Sequence, residues 1–121
     1  MARAFLAVLL TVLILVASPL AAQEVPKPSG TVDMDKLLEP GALSEEVLGP
    51  EDAKVTIVEY ASMTCSHCAH FHETTWPTLK KDYIDTGKVK FIYRDVYFDQ
   101  FGLWGAMIAR CEPTRFFGIA D

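Results

Sequence analysis

The chain has 121 residues, room for one domain at most, and half of them are hydrophobic, a composition that excludes an intrinsically disordered polypeptide. Its formal net charge is −5, from 11 basic and 16 acidic residues. No basic cluster is present to follow a phosphate backbone or an anionic membrane surface, so nucleic acid is not an expected partner.

Ala4 to Ala17 is an uncharged, mostly apolar run behind Arg3, followed by Ser18-Pro19 and the small residues Ala21 and Ala22. This is the layout of a secretory signal peptide, with cleavage after Ala22 and a periplasmic or secreted product. The alternative is an uncleaved anchor, because Ala4 to Ala22 has the length that spans a hydrocarbon core of ~30 Å. No cysteine stands at the junction, which argues against a lipoprotein. Loss of residues 1–22 removes Arg3 and leaves ten basic against 16 acidic residues, a net charge of −6. Outside the cytoplasm disulfides form and persist, so an exported CxxC pair is either a redox catalyst or a structural bridge.

Residues 23–48 read as a tether and a short irregular segment. Gln23 to Gly30 holds two prolines, a serine and a glycine and is expected to be extended. Val32 to Leu38 is a short mixed segment closed by Glu39-Pro40-Gly41, and Ser44 to Leu48 is expected to form a helical turn capped by Ser44. The folded domain is expected over 49–121. Gly49-Pro50-Glu51-Asp52 makes a turn, and Val55 to Ala61 is β-branched and aromatic in the manner of a strand. Alternation places Val55, Ile57, Glu59 and Ala61 on one face and Thr56, Val58 and Tyr60 on the other. A carboxylate at Glu59, desolvated among aliphatics, would suit proton exchange with a thiol. The competing reading leaves Glu59 solvated at the open end of the sheet.

A helix should follow from Cys68, where Cys68, Ala69, His72, Trp76, Leu79 and Tyr83 recur at steps of three and four. Cys65-Ser66-His67-Cys68 then puts Cys65 at the helix N-terminus, where free N–H groups and the macrodipole favour a thiolate. His67 can add positive charge or a hydrogen bond. Cys65 is therefore the expected nucleophile and Cys68, one turn on, the resolving sulfur. His72 reads as a packed, hydrogen-bonded core residue and His70 as a solvated one. Pro77 removes a backbone hydrogen bond, so a kink is expected between Glu73 and Trp76.

A metal-binding module using Cys65, Cys68 and His72 is the alternative from another class, although its fourth ligand is missing. Haem attachment would need His where Ala69 stands. No cofactor or metal is expected. Asp85-Thr86-Gly87 closes the helix, and Val89 to Tyr93 should be a second strand, parallel to the first after a right-handed crossover. Asp99 can cap a further helix with Phe101, Trp104, Met107, Ile108 and Cys111 as its apolar stripe. On that stripe Cys111 reads as a buried small hydrophobe, the alternative being a third redox thiol or an intermolecular partner. Pro113 stops the helix, and Thr114 should cap a last one over Arg115 to Ala120.

From Gly49 to Cys111 the chain resembles the DsbA-like branch of the thioredoxin superfamily. The motifs are VTIVEYAS with Glu59 six positions before the first cysteine, Cys65-x-His67-Cys68, the helix AHFHETTWPTLKKDY and the strand KVKFIYRDV. The resemblance implies an α/β, thioredoxin-like βαβ unit with the start of a helical insertion. It also implies periplasmic thiol:disulfide oxidoreductase activity, with Cys65 as nucleophile and Cys68 as resolving cysteine. Protein thiols or disulfides are the expected substrates, and a membrane redox partner that reoxidises or reduces the pair is the expected reset.

Two departures stand against the pattern. Ser66 occupies the position of the proline in the best-known DsbA motif. The cis-proline loop, strand pair and final helix that the resemblance implies after the insertion have no counterpart, since Pro113 is the sole proline beyond the second strand and lies between helical segments. The C-terminal half of the fold is expected to be missing. A βαβ unit with an open sheet edge is expected to be molten or aggregation-prone, with weak oxidase activity at best.

Overall fold

The structure, a computed structural model, describes residues 27–120, so the expected leader and its cleavage site lie outside the described residues. The chain divides into two compact units, 1–37 and 38–121. What is described of the first unit is largely the start of a short helix, α1 (Met34–Leu38), whose amides at Asp35 and Lys36 donate to Asp33 Oδ1.

The second unit is built on a three-stranded sheet of β1 (Glu46–Leu48), β2 (Val55–Ala61) and β3 (Val89–Asp95) in the order β1-β3-β2. β2 has the bounds its β-branched run predicts and pairs parallel to β3, with Ile57 opposite Phe91 and Glu59 opposite Tyr93. β1 replaces the helical turn expected at Ser44 to Leu48, pairing antiparallel with β3 from Glu46↔Tyr93 to Leu48↔Phe91. A long-range network accounts for it. Arg110 donates to Asp95 Oδ2 at 2.7 Å, to Glu46 Oε1 at 3.2 Å and to the Ser44 carbonyl at 2.9 Å, and Arg94 pairs with Glu45. These cations fasten both flanks of the strand to β3 and the helix beyond it, and the local preference for a turn loses.

Between β2 and β3 the chain crosses one face of the sheet as α2 (Ser66–Thr74), α3 (Trp76–Leu79) and a single π-turn (Lys80–Ile84). The break at Thr75 falls where Pro77 predicts it, because residue 77 has no N–H to offer the Glu73 carbonyl. The π-turn changes which residue faces inward. Asp85 N–H reaches the Lys80 carbonyl and Lys88 N–H reaches that of Tyr83, each five residues back. The extra residue rotates Tyr83 out to 47 % exposure and brings Ile84 in at 3 %. Ala69, also expected on the stripe, is exposed. Gly87 follows with φ +78, the left-handed residue that ends the crossover.

Beyond β3 lie α4 (Gln100–Arg110), a 3-10 turn (Pro113–Arg115) and α5 (Phe116–Ala120). The core cluster of this unit is Ala61, Trp76, Ile84, Val89, Phe91, Tyr93, Ala109 and Phe116. Its centre is aromatic, with Trp76 and Phe91 centroids 4.7 Å apart and Tyr93 and Phe116 5.2 Å apart. α4 contradicts the expected stripe. Phe101, Trp104, Met107 and Ile108 are exposed, Cys111 is exposed too, and Gly102, Ala106 and Ala109 are the buried residues. The small face is inward because α4 lies close against the loop after β2, where a Cβ on Gly102 would stand 2.7 Å from Ser62 Oγ.

Candidate active site

β2 ends at Ala61, and Ser62-Met63-Thr64 carries the chain into the helix cap. Cys65 is that cap, extended at φ −85 and ψ 108, with its N–H donating to the Ser62 carbonyl at 3.0 Å. Its sulfur accepts the Cys68 amide at 3.2 Å. Thr64 is held from the far side, its hydroxyl donating to Asp99 Oδ2 at 2.7 Å while Asp99 Oδ1 accepts the Gly102 amide and caps α4. The loop before Cys65 and the start of α4 are thus one hydrogen-bonded unit.

The two sulfurs sit in opposite environments. The Cys65 thiol is held below its ordinary range, first by the Cys68 thiol as a donor, then by the amides of Cys68 and His67, against burial and the charge of Glu59. Cys68 is pushed up, first by burial, then by its hydrogen bond to Cys65, with the charges of Cys65 and Glu59 adding to it. Such a pair presents one readily ionised sulfur and one that keeps its proton. His67 contributes through its main-chain amide, and its ring is exposed.

Behind the cysteines, Glu59 shares its face with Ile57 and Ala61 and meets His72, whose Nε2 is 3.1 Å from Oε2 and 3.2 Å from Oε1. His72 is buried at 8 % exposure, the packed and hydrogen-bonded residue that its place on the stripe predicts. Tyr93 lies across the ladder from Glu59, and burial, then the charges of Asp95 and Glu59, hold its phenol above the ordinary range. A cleft of about 250 Å³ joins Ser62, Cys65, Cys68, His72, Tyr93 and Ile119. A second cleft of about 290 Å³ takes in Tyr60, Arg94 and Arg110. Its arginines are paired with Glu45 and Asp95, so it offers no comparable chemistry.

Among the described residues no three His, Cys, Asp or Glu side chains gather in a metal-holding geometry. His72 turns its Nε2 to Glu59. Tyr93 and the Thr64–Asp99 bond escape sequence reasoning. Aligning the two parallel strands would have placed Tyr93 opposite Glu59, whereas nothing local links Thr64 to Asp99. Among the described residues no helix is long and apolar enough to cross a membrane.

A parallel strand pair joined by a helix that starts on a CxxC pair, with an antiparallel strand on the far side of β3, defines a protein of the thioredoxin superfamily. A thioredoxin family model matches residues 42–121. The chain belongs to this family, in its DsbA-like branch. It is 42 % identical over 69 residues to a putative protein-disulfide oxidoreductase of Rickettsia bellii, covering 57 % of this chain and 27 % of the relative. It is 36 % identical over 77 residues to disulfide bond formation protein D of Bacillus subtilis, covering 64 % of this chain and 35 % of the relative. Among solved structures, alpha-DsbA1 of Wolbachia pipientis superposes with a TM-score of 0.64 at 38 % identity, over 71 % of this chain and 44 % of that one. Oxidised BdbD of Bacillus subtilis superposes at 0.53 and 35 % identity, over 61 % of this chain and 43 % of that one. The chain therefore spans about a quarter to a third of these curated relatives and under half of these solved structures.

Proposed function

We propose that this protein is an exported thiol:disulfide oxidoreductase that exchanges a Cys65–Cys68 disulfide with the thiols of protein substrates. The observation that carries the reading is the inequality of the sulfurs: Cys65 caps α2, accepts the Cys68 amide and is lowered, while Cys68 behind it is raised. In the oxidised pair, a substrate thiolate attacks Cys65 Sγ, the Cys65–Cys68 bond breaks, and Cys68 leaves with the electron pair and takes a proton. A second substrate thiolate then attacks the substrate sulfur of the mixed disulfide and releases Cys65 as the stabilised thiolate. In the opposite direction Cys68 gives up its proton, attacks Cys65 and releases substrate.

Cys65 is the nucleophile, Cys68 the resolving thiol, His67 a main-chain donor to the Cys65 sulfur, and Glu59 the carboxylate that takes or returns the Cys68 proton. Export rests on the leader reading of residues 1–22, with a retained anchor as its alternative. A membrane redox partner would restore the starting state, and the names of the relatives support exchange with protein disulfides.

Trapping tests the assignment. Cys68→Ala should accumulate mixed disulfides with reduced, unfolded protein in the presence of oxidant, and Cys65→Ala should not. At pH 6 Cys65 should be alkylated several-fold faster than Cys68 or Cys111. Equal trapping by both variants, or equal labelling of the three thiols, would remove the distinction between nucleophile and resolving cysteine.

A further inference from the structure

His72 has no part in the exchange as written, yet it is the group most firmly built against the carboxylate that does. Its side chain is 6 % exposed and that of Glu59 15 %. Phe71 and Trp76 pack against the imidazole, with ring centroids 5.4 and 5.2 Å away. Nε2 stands 3.2 and 3.1 Å from the two carboxylate oxygens. When Glu59 is ionised it only accepts hydrogen bonds, and Nε2 is then the atom that carries the hydrogen. One N–H thus straddles both oxygens and fixes the plane of the carboxylate. His72 is also one helical turn after Cys68 on α2, so the histidine and the resolving thiol approach Glu59 from the same helix face.

We infer that His72 is a positioning residue for the resolving step: its hydrogen bond holds the Glu59 carboxylate in place and in its anionic form, and so sets the pH at which Glu59 can take the proton of Cys68. The inference rests on the roles proposed above for Glu59 and Cys68. In that step the Cys68 S–H proton passes to the carboxylate and the Cys68–Cys65 bond forms. The bond from Cys65 to the substrate sulfur breaks, and the substrate leaves with the electron pair. The cysteine pair is oxidised, the substrate is reduced, and no further reagent is required.

The titratable groups facing Glu59 include His72 and Cys68 from α2, Cys65 at its cap and Tyr93 from β3, with Asp95 and Arg110 acting on Tyr93. Of these, His72 gives the carboxylate a donor that favours the anion, whereas a thiolate at either cysteine opposes it. Loss of that donor shifts a carboxylate set among Ile57, Ala61 and Tyr93 toward its protonated form, which cannot accept the Cys68 proton.

The test uses the full chain with Cys65 loaded as a mixed disulfide with 5-thio-2-nitrobenzoate, whose release reports attack by Cys68. His72→Phe keeps an aromatic ring between Phe71 and Trp76 but has no N–H, and His72→Gln restores a donor. Release rates are measured against pH alongside the carboxyl carbon-13 titration of Glu59, which reads the carboxylate directly. In His72→Phe the rising limb of the rate profile and the Glu59 titration should both move alkaline by about one unit, a loss of about tenfold in rate on the acid side. His72→Gln should recover most of this. Glu59→Gln should abolish the limb, so that His72→Phe added to it changes nothing further. An unmoved limb in folded His72→Phe, or an equal loss in the Glu59→Gln background, overturns the role of His72 while leaving exchange intact. Failure of Cys65 to form any mixed disulfide sinks the exchange reading and this inference together.

Discussion

The crossover from α2 through the π-turn directs its large side chains to the sheet, whereas α4 directs its small ones inward. His72, Trp76 and Ile84 are 8, 4 and 3 % exposed, while Phe101, Trp104, Met107 and Ile108 on α4 stand at 71, 48, 57 and 65 %. Both segments have an apolar face. What separates them is how near the neighbour must come: a Cβ on Gly102 would meet Ser62 Oγ at 2.7 Å, and one on Gly105 would meet Met63 at 3.0 Å. Where a helix lies that close to a loop, close packing selects its smallest face. The large residues are left as an exposed apolar strip, a hazard for self-association in the isolated chain.

The two tryptophans offer the sharpest way to break this contrast. Trp76→Ala removes a buried ring from the aromatic cluster and should cost about 3 to 5 kcal/mol of unfolding free energy. Trp104→Ala should stay within about 0.5 kcal/mol. Urea midpoints at unchanged m values decide, and equal losses would mean that the outer face of α4 is covered in solution. A smaller effect tests why α4 turned its small face inward. Gly102→Val pushes two methyl groups toward Ser62 and Thr64 and should cost about 1 to 3 kcal/mol through overpacking. It should also disturb alkylation of Cys65, because Thr64 is the residue before it; a neutral Gly102→Val would show that the approach is not tight.

The smallest effect concerns the Asp99 cap. Its carboxyl is held below the ordinary carboxylate range, first by the Gly102 amide and then by the Thr64 hydroxyl. A carboxyl lowered in the folded state contributes stability that is fully present above its unfolded value and is lost as the pH falls through the folded one. The contribution should therefore fade below about pH 4, and Asp99→Asn should flatten the stability profile in that acid range. Parallel acid limbs in both proteins would assign the loss to other carboxylates.

Those elements whose causes are local could be read from the sequence. Val55–Ala61 and the Cys65 cap follow from composition and position, and the break at Thr75 follows from Pro77. His72 was legible as a packed residue because it lies on the apolar stripe, but its partner Glu59 is 13 residues away on another element. What stayed hidden depends on distance in sequence. β1 is three residues long and is selected by Arg110 and Arg94, which come from beyond β2. The π-turn shifts the inward position from Tyr83 to Ile84 by a single residue, below what a period of three and four can resolve. Cys111 followed the large residues of α4 outward, since periodicity reveals an apolar face without saying which neighbour it meets.

The sheet order also has a kinetic meaning. β1 and β2 never pair with each other; each pairs with β3, the last of the three to leave the ribosome. Val55 waits for Val89 and Glu46 for Tyr93, so no sheet pairing rewards loop closure until the chain is made past residue 89. Until then the α2 cap and its two cysteines can form as a local turn with no sheet behind them. The thiols are therefore present on a nascent chain before Tyr93 arrives opposite Glu59, and Cys68 gains its packing against the core cluster only when the central strand slots into place.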